Sequence, residues 1–173
     1  MKLALLPGEC REQDERLAAL STLPRDELDT LLAYFREGGP DNMRGLLGRL
    51  AVLTGDGGTA ETPVEVAKAG FYHPALGIQA EAVVLGAADP RPAVPILFYR
   101  SMLLATDVAP IDALADALAG HGIRAVPIFV SSLKDAEALT FVEHAFAALQ
   151  PAAIVTTTAF AAGAEPGAQS LFD

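Results

Sequence analysis

The residues of this 173-residue chain best suited to chemistry are Arg100, Ser101, Ser132, Lys134 and the run Thr156, Thr157 and Thr158. Each set follows a short apolar run: Val94 to Tyr99, Ala125 to Val130 and Ala153 to Thr156. A guanidinium presents a planar pair of donors to a carboxylate, an ammonium is a point charge, and hydroxyls serve either partner of an amide. Gathered in one crevice, the set would bind carboxylates or amides. Ser101 and Ser131 invite a nucleophile reading, but neither lies in Gly-x-Ser-x-Gly and neither has a histidine beside it in sequence. Hydroxyls after strands more commonly cap the next helix. A second cluster is Tyr72 and His73, an aromatic face and an axial-type nitrogen for a flat ring system or its metal. Aromatics of this kind more often pack beneath a lobe, and Pro74 biases His73 toward an extended conformation.

Other chemistries lack their residues, and no catalytic residue is assigned. Cys10 is the single cysteine, so no internal disulfide forms, and Glu9-Cys10 has no flanking base or second thiol to activate it. His73, His121 and His144 show no metal-ligand spacing, so a protein-built metal site is not expected. Gly55 to Thr62 is glycine-rich but lacks the lysine and hydroxyl of a Walker loop and reads as a flexible connection. The net charge of -10 argues against nucleic acid and against an anionic membrane surface, which both need Lys and Arg. An acidic small molecule responds to the local field instead. Residues 91–173 carry only Arg91, Arg100, Arg124 and Lys134, and two of these follow strands. No apolar run approaches the ~20 residues of a membrane helix, and Lys2 to Leu6 is too short for a signal-peptide core, so a cytoplasmic location is expected.

The elements that must position these residues follow from periodicity. The three apolar runs are too short for helices and rich in β-branched and aromatic residues. Pro110 to Ala119 and Ser132 to Leu149 alternate with them as amphipathic helices, the second opened by a capping-box-like Ser132 and Asp135. Strand–helix alternation predicts an α/β fold, Rossmann-like or flavodoxin-like, with a parallel sheet of three to four strands and flanking helices. All three polar groups then emerge at its carboxyl edge. Pro95 and Pro127 each remove a ladder donor and are expected at strand starts or edges. Upstream, Leu28, Leu31, Leu32 and Phe35, then Met43, Leu46, Leu47 and Leu50, fall at helical spacing around Gly38-Gly39-Pro40 and predict a helical hairpin. Asp89-Pro90-Arg91-Pro92 is the expected boundary between an amino-terminal helical lobe with its irregular connector (1–90) and the α/β unit (91–173). No closing element follows Phe160, so either the unit is truncated or Lys2 to Leu6 supplies a fourth strand.

Beyond such local readings, an ordered series of segments carries a resemblance. It comprises Leu5-Leu-Pro-Gly-Glu-Cys-Arg11, Leu20-Ser-Thr-Leu-Pro24, Tyr34-Phe-Arg-Glu-Gly-Gly-Pro-Asp-Asn42, Pro95-Ile-Leu-Phe-Tyr-Arg-Ser101, Ala109-Pro-Ile-Asp-Ala-Leu114, Pro127-Ile-Phe-Val-Ser-Ser-Leu-Lys-Asp135 and Ile154-Val-Thr-Thr-Thr-Ala-Phe160. In these the chain resembles the cobaltochelatase CobN family, which is related to the H-type large component of magnesium chelatase. The resemblance implies an amino-terminal segment of a much longer large subunit. That enzyme, a ligase forming nitrogen–metal bonds, inserts cobalt into hydrogenobyrinic acid a,c-diamide on the route to cobalamin. Cobalt is then the substrate metal, and ATP and magnesium belong to AAA-type ATPase partner subunits. The segment is expected to bind no cofactor itself and to be inactive alone, with a corrin precursor as the tetrapyrrole partner of the whole enzyme. The alternatives are a magnesium chelatase H-type segment and a non-catalytic α/β module that binds ligands or scaffolds partners.

Overall fold

The computed structural model describes residues 2–8, 12–86 and 88–158. The chain forms two units, Met1–Val66 and Ala67–Asp173.

In the first unit, helices α1 (Glu15–Leu20), α2 (Arg25–Glu37) and α3 (Gly39–Thr54) follow an extended amino-terminal segment. Asp14 caps α1 through a hydrogen bond from the Arg16 N–H. The expected hairpin is present, and Gly38 joins its helices at φ 62°, a left-handed value that favours glycine. Leu28, Leu31, Leu32 and Leu46 are buried as the periodicity requires, whereas Phe35 and Leu47 stay exposed. Their places in the core are taken by Tyr34 and by small or polar residues of α3. Gly45 is one of these, because a Cβ there would meet the Tyr34 ring at 2.8 Å.

The end of the glycine-rich connector and the segment that follows it are strapped to α2 and α3. The Asn42 carboxamide donates to the Val64 carbonyl and accepts from its N–H, at 2.9 and 2.8 Å. Tyr34 donates its hydroxyl to the Glu61 carbonyl, and Glu37 accepts the Val66 N–H at 3.0 Å. Glu27, only 8% exposed, is held by a two-pronged contact from Arg49, which keeps its carboxyl below the usual carboxylate range. Lys2 to Leu6 joins no sheet. The Leu3 and Leu5 N–H groups donate to the Thr22 and Ser21 hydroxyls, and Ala4 and Leu6 pack on the helical core.

The second unit contains a five-stranded mixed sheet in the order β2-β1-β4-β3-β5. In chain order its elements are β1 (Ala69–His73), β2 (Gly77–Gln79), α4 (Glu81–Leu85), β3 (Ala93–Tyr99), α5 (Arg100–Leu104), α6 (Ala109–Gly120), β4 (Arg124–Val130), α7 (Ala136–Leu149) and β5 (Val155–Thr156). The expected α/β class and the three parallel strands β4-β3-β5 are present. Two antiparallel strands extend the sheet beyond the expected three or four. They also move the boundary from residues 90/91 to 66/67, because β1 pairs with β4 and binds 67–90 into the α/β unit.

The sheet is covered on both faces, which is why its strands read as continuous apolar runs. Phe71, Leu97, Val126, Ile128 and Val130 turn to α7. Tyr72, Ile96, Phe98 and Phe129 turn to α6. Burying these faces stabilises the unit by roughly 1.5–3 kcal/mol per large side chain.

The two strand prolines are interior to their strands, yet neither breaks the central β3–β4 ladder. Bonds from the Arg124 N–H to the Pro92 carbonyl and from the Thr157 N–H to the Leu97 carbonyl set the alternation. It turns Pro95 toward the β5 side and Pro127 toward the β1 side. Pro95 lies one residue before the β3–β5 pairing starts at Ile96, and the β1–β4 pairing stops at Phe71 opposite Ile128. The next pair in that register, Tyr72 opposite Pro127, would exchange hydrogen bonds, and Pro127 has no N–H to give. The next hydrogen-bonding pair of that register, Pro74 opposite Ala125, would need a donor from Pro74. The β1–β2 hairpin therefore parts from β4 at this point.

Candidate functional site

The carboxyl edge carries the expected residues in spatial sequence. Because β4, β3 and β5 are parallel neighbours, their ends deliver Ser131, Ser132 and Lys134, then Arg100 and Ser101, then Thr156 to Thr158 along one edge. Arg100 is half-buried at the first turn of α5, and Ser101 and Lys134 are exposed. Most hydroxyls there close local turns. The Ser132 Oγ accepts the Lys134 N–H at 3.1 Å, the Thr156 and Thr158 hydroxyls pair at 2.7 Å, and Thr157 donates to the Leu97 carbonyl at 3.1 Å.

The capping-box expectation is corrected. Helix α7 starts four residues later than expected, and Asp135 itself is its N-cap, accepting from the Glu137 and Ala138 N–H groups. The Ala138 N–H and the ammonium of Lys68, 3.2 Å away, lower the Asp135 pKa. Lys68 thus adds a cation to this edge that the sequence does not advertise, since it directly precedes the unforeseen strand β1. The Ser131 Oγ is buried and accepts or donates no hydrogen bond among the described residues. No described hydrogen bond places a histidine on Ser101 or Ser131, so neither has the base a serine nucleophile needs.

Tyr72 and His73 have different surroundings, although both border one cleft. The Tyr72 ring meets Phe98 edge-on, with centroids 5.8 Å apart, and its hydroxyl donates to the Asp112 Oδ1 at 2.9 Å. Burial, then the neighbouring Asp112 carboxylate, pushes the Tyr72 pKa up to about 12. This places Tyr72 in the core against α6. His73, at the strand end, is exposed and accepts the Ala75 N–H on its Nδ1 at 3.1 Å. His144 is engaged elsewhere, its Nδ1 3.0 Å from the Glu81 carboxylate. Among the described residues no group of three His, Cys, Asp or Glu is arranged to hold a metal ion, and Cys10 lies outside those residues. No described helix is long and apolar enough to cross a membrane.

The opposite end of the sheet holds a cleft of about 460 Å³ that the sequence does not announce. It opens where the β1–β2 hairpin parts from β4, between α4 and α6. Asp89, 18% exposed by its side chain, accepts from the Arg91 Nε and Nη2 at 2.9 and 2.6 Å, and Arg124 stands 4.0 Å away. The Arg91 hydrogen bonds hold the Asp89 carboxyl at a pKa of about 2. Arg124 also donates to the Val84 carbonyl, fixing α4 as one wall. Pro127 and Pro74 were the available signals, since each removes a donor from the pairing that would otherwise close this space.

Comparison with known proteins decides the family. The sequence profile described as CobN/Magnesium Chelatase matches residues 32–171. The chain belongs to the CobN/magnesium chelatase family. Over 96% of its length it is 35% identical to the aerobic cobaltochelatase subunit CobN of Sinorhizobium sp, covering 14% of that protein. The H component of the magnesium chelatase of Cereibacter sphaeroides is 33% identical over 58% of the chain and 9% of that protein. Among solved structures, the catalytic subunit of cobaltochelatase from Mycobacterium tuberculosis superposes with a TM-score of 0.67 at 28% identity, over 92% of this chain and 12% of that one. The chain thus spans about a seventh or less of the relatives it matches.

Proposed function

We propose that this chain is the amino-terminal segment of the large subunit of an aerobic cobaltochelatase, and that it contributes structure to cobalt insertion and not the insertion chemistry. The observation that carries this reading is similarity to a CobN protein along 96% of the chain, against 58% for the H component of a magnesium chelatase. The substrate would be a corrin precursor, hydrogenobyrinic acid a,c-diamide, with cobalt as the metal inserted. ATP hydrolysis would be supplied by AAA-type partner subunits, in keeping with a chain that has no Walker spacing. The cytoplasm is the proposed location.

Within this reading the chain offers charge and hydroxyls at the carboxyl edge. Arg100 would present a planar donor pair and Lys134 a point charge to the carboxylates at the rim of the macrocycle. Ser132, Thr156 and Thr158 make the local bonds of the turns beside these cations, and Ser101 would add a hydroxyl next to Arg100. No described residue is assigned as the base that removes the macrocycle's N–H protons.

Reconstitution of the intact large subunit with its ATPase partners, followed by the absorbance change on cobalt insertion, tests the assignment. Cobalt turnover with the corrin substrate is expected. Magnesium insertion into a porphyrin in its place would transfer the chain to the magnesium branch. In the same assay Arg100→Ala with Lys134→Ala is expected to raise KM for the corrin substrate about tenfold with little effect on kcat, the signature of lost uniform binding. An unchanged KM would remove the carboxyl edge from the substrate site.

A further inference from the structure

The cleft at the amino end of β4 has no part in the function proposed above, and its construction is that of a small-ligand site. Its origin is specific. Pro127 and Pro74 end the β1–β4 pairing, and the strand alternation leaves the Ala125 N–H and the carbonyls of Ala125 and Pro127 turned toward the side that β1 has vacated. Three main-chain groups, one donor and two acceptors, thus border a space that is otherwise mostly apolar. Val83 and Val84 of α4 form one wall, and Ala115 and Ala119 of α6, one helical turn apart, form the other. The small alanine side chains leave room for a flat body between the two helices.

Charge at the mouth selects the ligand's polar end. Among the described residues, Arg91 and Arg124 both lie on the Asp89 carboxylate, and these three groups together carry a net charge of about +1. Asp89 takes the Nε and Nη2 of Arg91, and the Nη1 of Arg91 has no protein partner among the described residues. His73 lines the same cleft with its Nδ1 already accepting from the Ala75 N–H. In the neutral imidazole this directs the proton to Nε2, a second donor. The one countercharge elsewhere on the lining is Asp116, which is exposed on α6. A volume of about 460 Å³ corresponds to some fifteen waters at ~30 Å³ each. That suits a ligand of one or two fused rings and is far below the needs of a four-ring macrocycle with its side chains.

We propose that this cleft is a binding site for a small flat aromatic monocarboxylate, whose ring lies between α4 and α6 and whose carboxylate meets the outer face of Arg91. Such a ligand differs in size from the macrocycle, so the site is an accessory one, occupied independently of metal insertion. Main-chain groups on β4 would read a polar substituent on the ring edge. Apolar walls with a few placed polar groups are the usual anatomy of such pockets.

Isothermal titration of the full chain with naphthoate, and with its uncharged analogue naphthamide, tests the proposal. Naphthoate is expected to bind saturably with a dissociation constant of about 1 mM or tighter, and naphthamide about tenfold more weakly, the scale of one charged hydrogen bond. Arg91→Gln should bring the two ligands to equal affinity, and Ala119→Phe, which fills the space between the helices, should abolish both. Three results would overturn the site: no saturable binding to the unsubstituted chain, equal affinity for the acid and the amide there, or unchanged binding by a folded Ala119→Phe protein. Circular dichroism of each variant establishes folding before titration, and a second filling variant, Val83→Trp, repeats the test should Ala119→Phe unfold.

Discussion

The two ends of the α/β sheet are built from similar polar residues and do different things. At the carboxyl edge, β3 runs straight into α5 and β4 into a turn, the hydroxyls of Ser132, Thr156 and Thr158 are engaged in local bonds, and that of Thr157 bonds across to the Leu97 carbonyl of β3. At the amino end, β1 leaves β4 at Pro127, and the backbone there cannot close on itself. Polar residues alone therefore do not mark a site. What distinguishes the cleft is an interruption in regular pairing, which leaves volume and main-chain groups facing it.

The largest test of this contrast is Gly70→Val. Gly70 pairs with Phe129 in the short β1–β4 ladder, and a Cβ at Gly70 would stand 2.7 Å from the Phe129 ring. Phe129 is fully buried, so the ring has no room to move. Overpacking should destabilise the unit by roughly 2–3 kcal/mol, measured by urea unfolding. The same variant should lose naphthoate binding, because the hairpin that walls the cleft is no longer held. The parallel ladder β4-β3-β5 does not use Gly70, so far-ultraviolet circular dichroism should keep its helical signal below the transition.

Tyr72→Phe is the next in size. It removes the hydrogen bond to Asp112 at 2.9 Å and leaves the ring packing on Phe98 in place. Loss of about 1 kcal/mol is expected. The sign with pH follows from the raised pKa. The unfolded phenol ionises near its ordinary value of 10.0, whereas the folded one holds its proton to about 12. The stabilisation is thus complete below pH ~10 and is lost as pH rises through the folded value. Thermal melts between those limits should fall more steeply for the native chain than for Tyr72→Phe, and parallel slopes would count against a buried hydroxyl.

These same residues show how far the sequence reaches. Val94 to Tyr99 and Ala125 to Val130 announce strands because both faces are buried, and their polar successors fall at one edge because parallel strands end together. The family is legible from the ordered series of segments. Strand β1 is not legible in that way. Ala69–His73 has a glycine at its second position and an exposed histidine at its end, so its apolar content is only three residues long, and its place is set by a partner almost sixty residues away. Without β1, neither the domain boundary nor Lys68 beside Asp135 could be placed. The cleft was hidden for a related reason. Pro127 reads as a defect in a strand until its missing donor is known to face the side where β1 ends. In the helical unit, Tyr34 and Asn42 interrupt the leucine pattern, so their role in strapping the connector appears only once its carbonyls lie over them.

A smaller effect is expected at the carboxyl edge from Asp135→Ala. Helix α7 loses its cap, and among the described residues the Lys68 ammonium keeps Glu137, 3.1 Å away. The melting temperature should drop by a few degrees, and Asp135→Asn, which retains an accepting oxygen, should recover most of it. Because the folded Asp135 carboxyl titrates below its ordinary value, its contribution is present above the unfolded pKa and is lost as pH falls through the lowered one. Acidification should therefore erase the difference between the native chain and Asp135→Ala.

The smallest effect belongs to Thr156→Ala and Ser132→Ala. Thr156 is exposed, and both hydroxyls make only short-range bonds, to Thr158 and to the Lys134 N–H. Each substitution should change stability by no more than ~0.5 kcal/mol, the range for surface positions away from a cap or core. Their effect on the intact enzyme separates two roles for the edge. If these hydroxyls only shape turns, KM for the corrin substrate stays within about twofold of the native value while Arg100→Ala with Lys134→Ala raises it. A rise from Thr156→Ala equal to that from the cation pair would mean that the hydroxyl row touches substrate. The contrast between a closed edge and an open cleft would then be a difference of occupant, with both ends of the sheet used for binding.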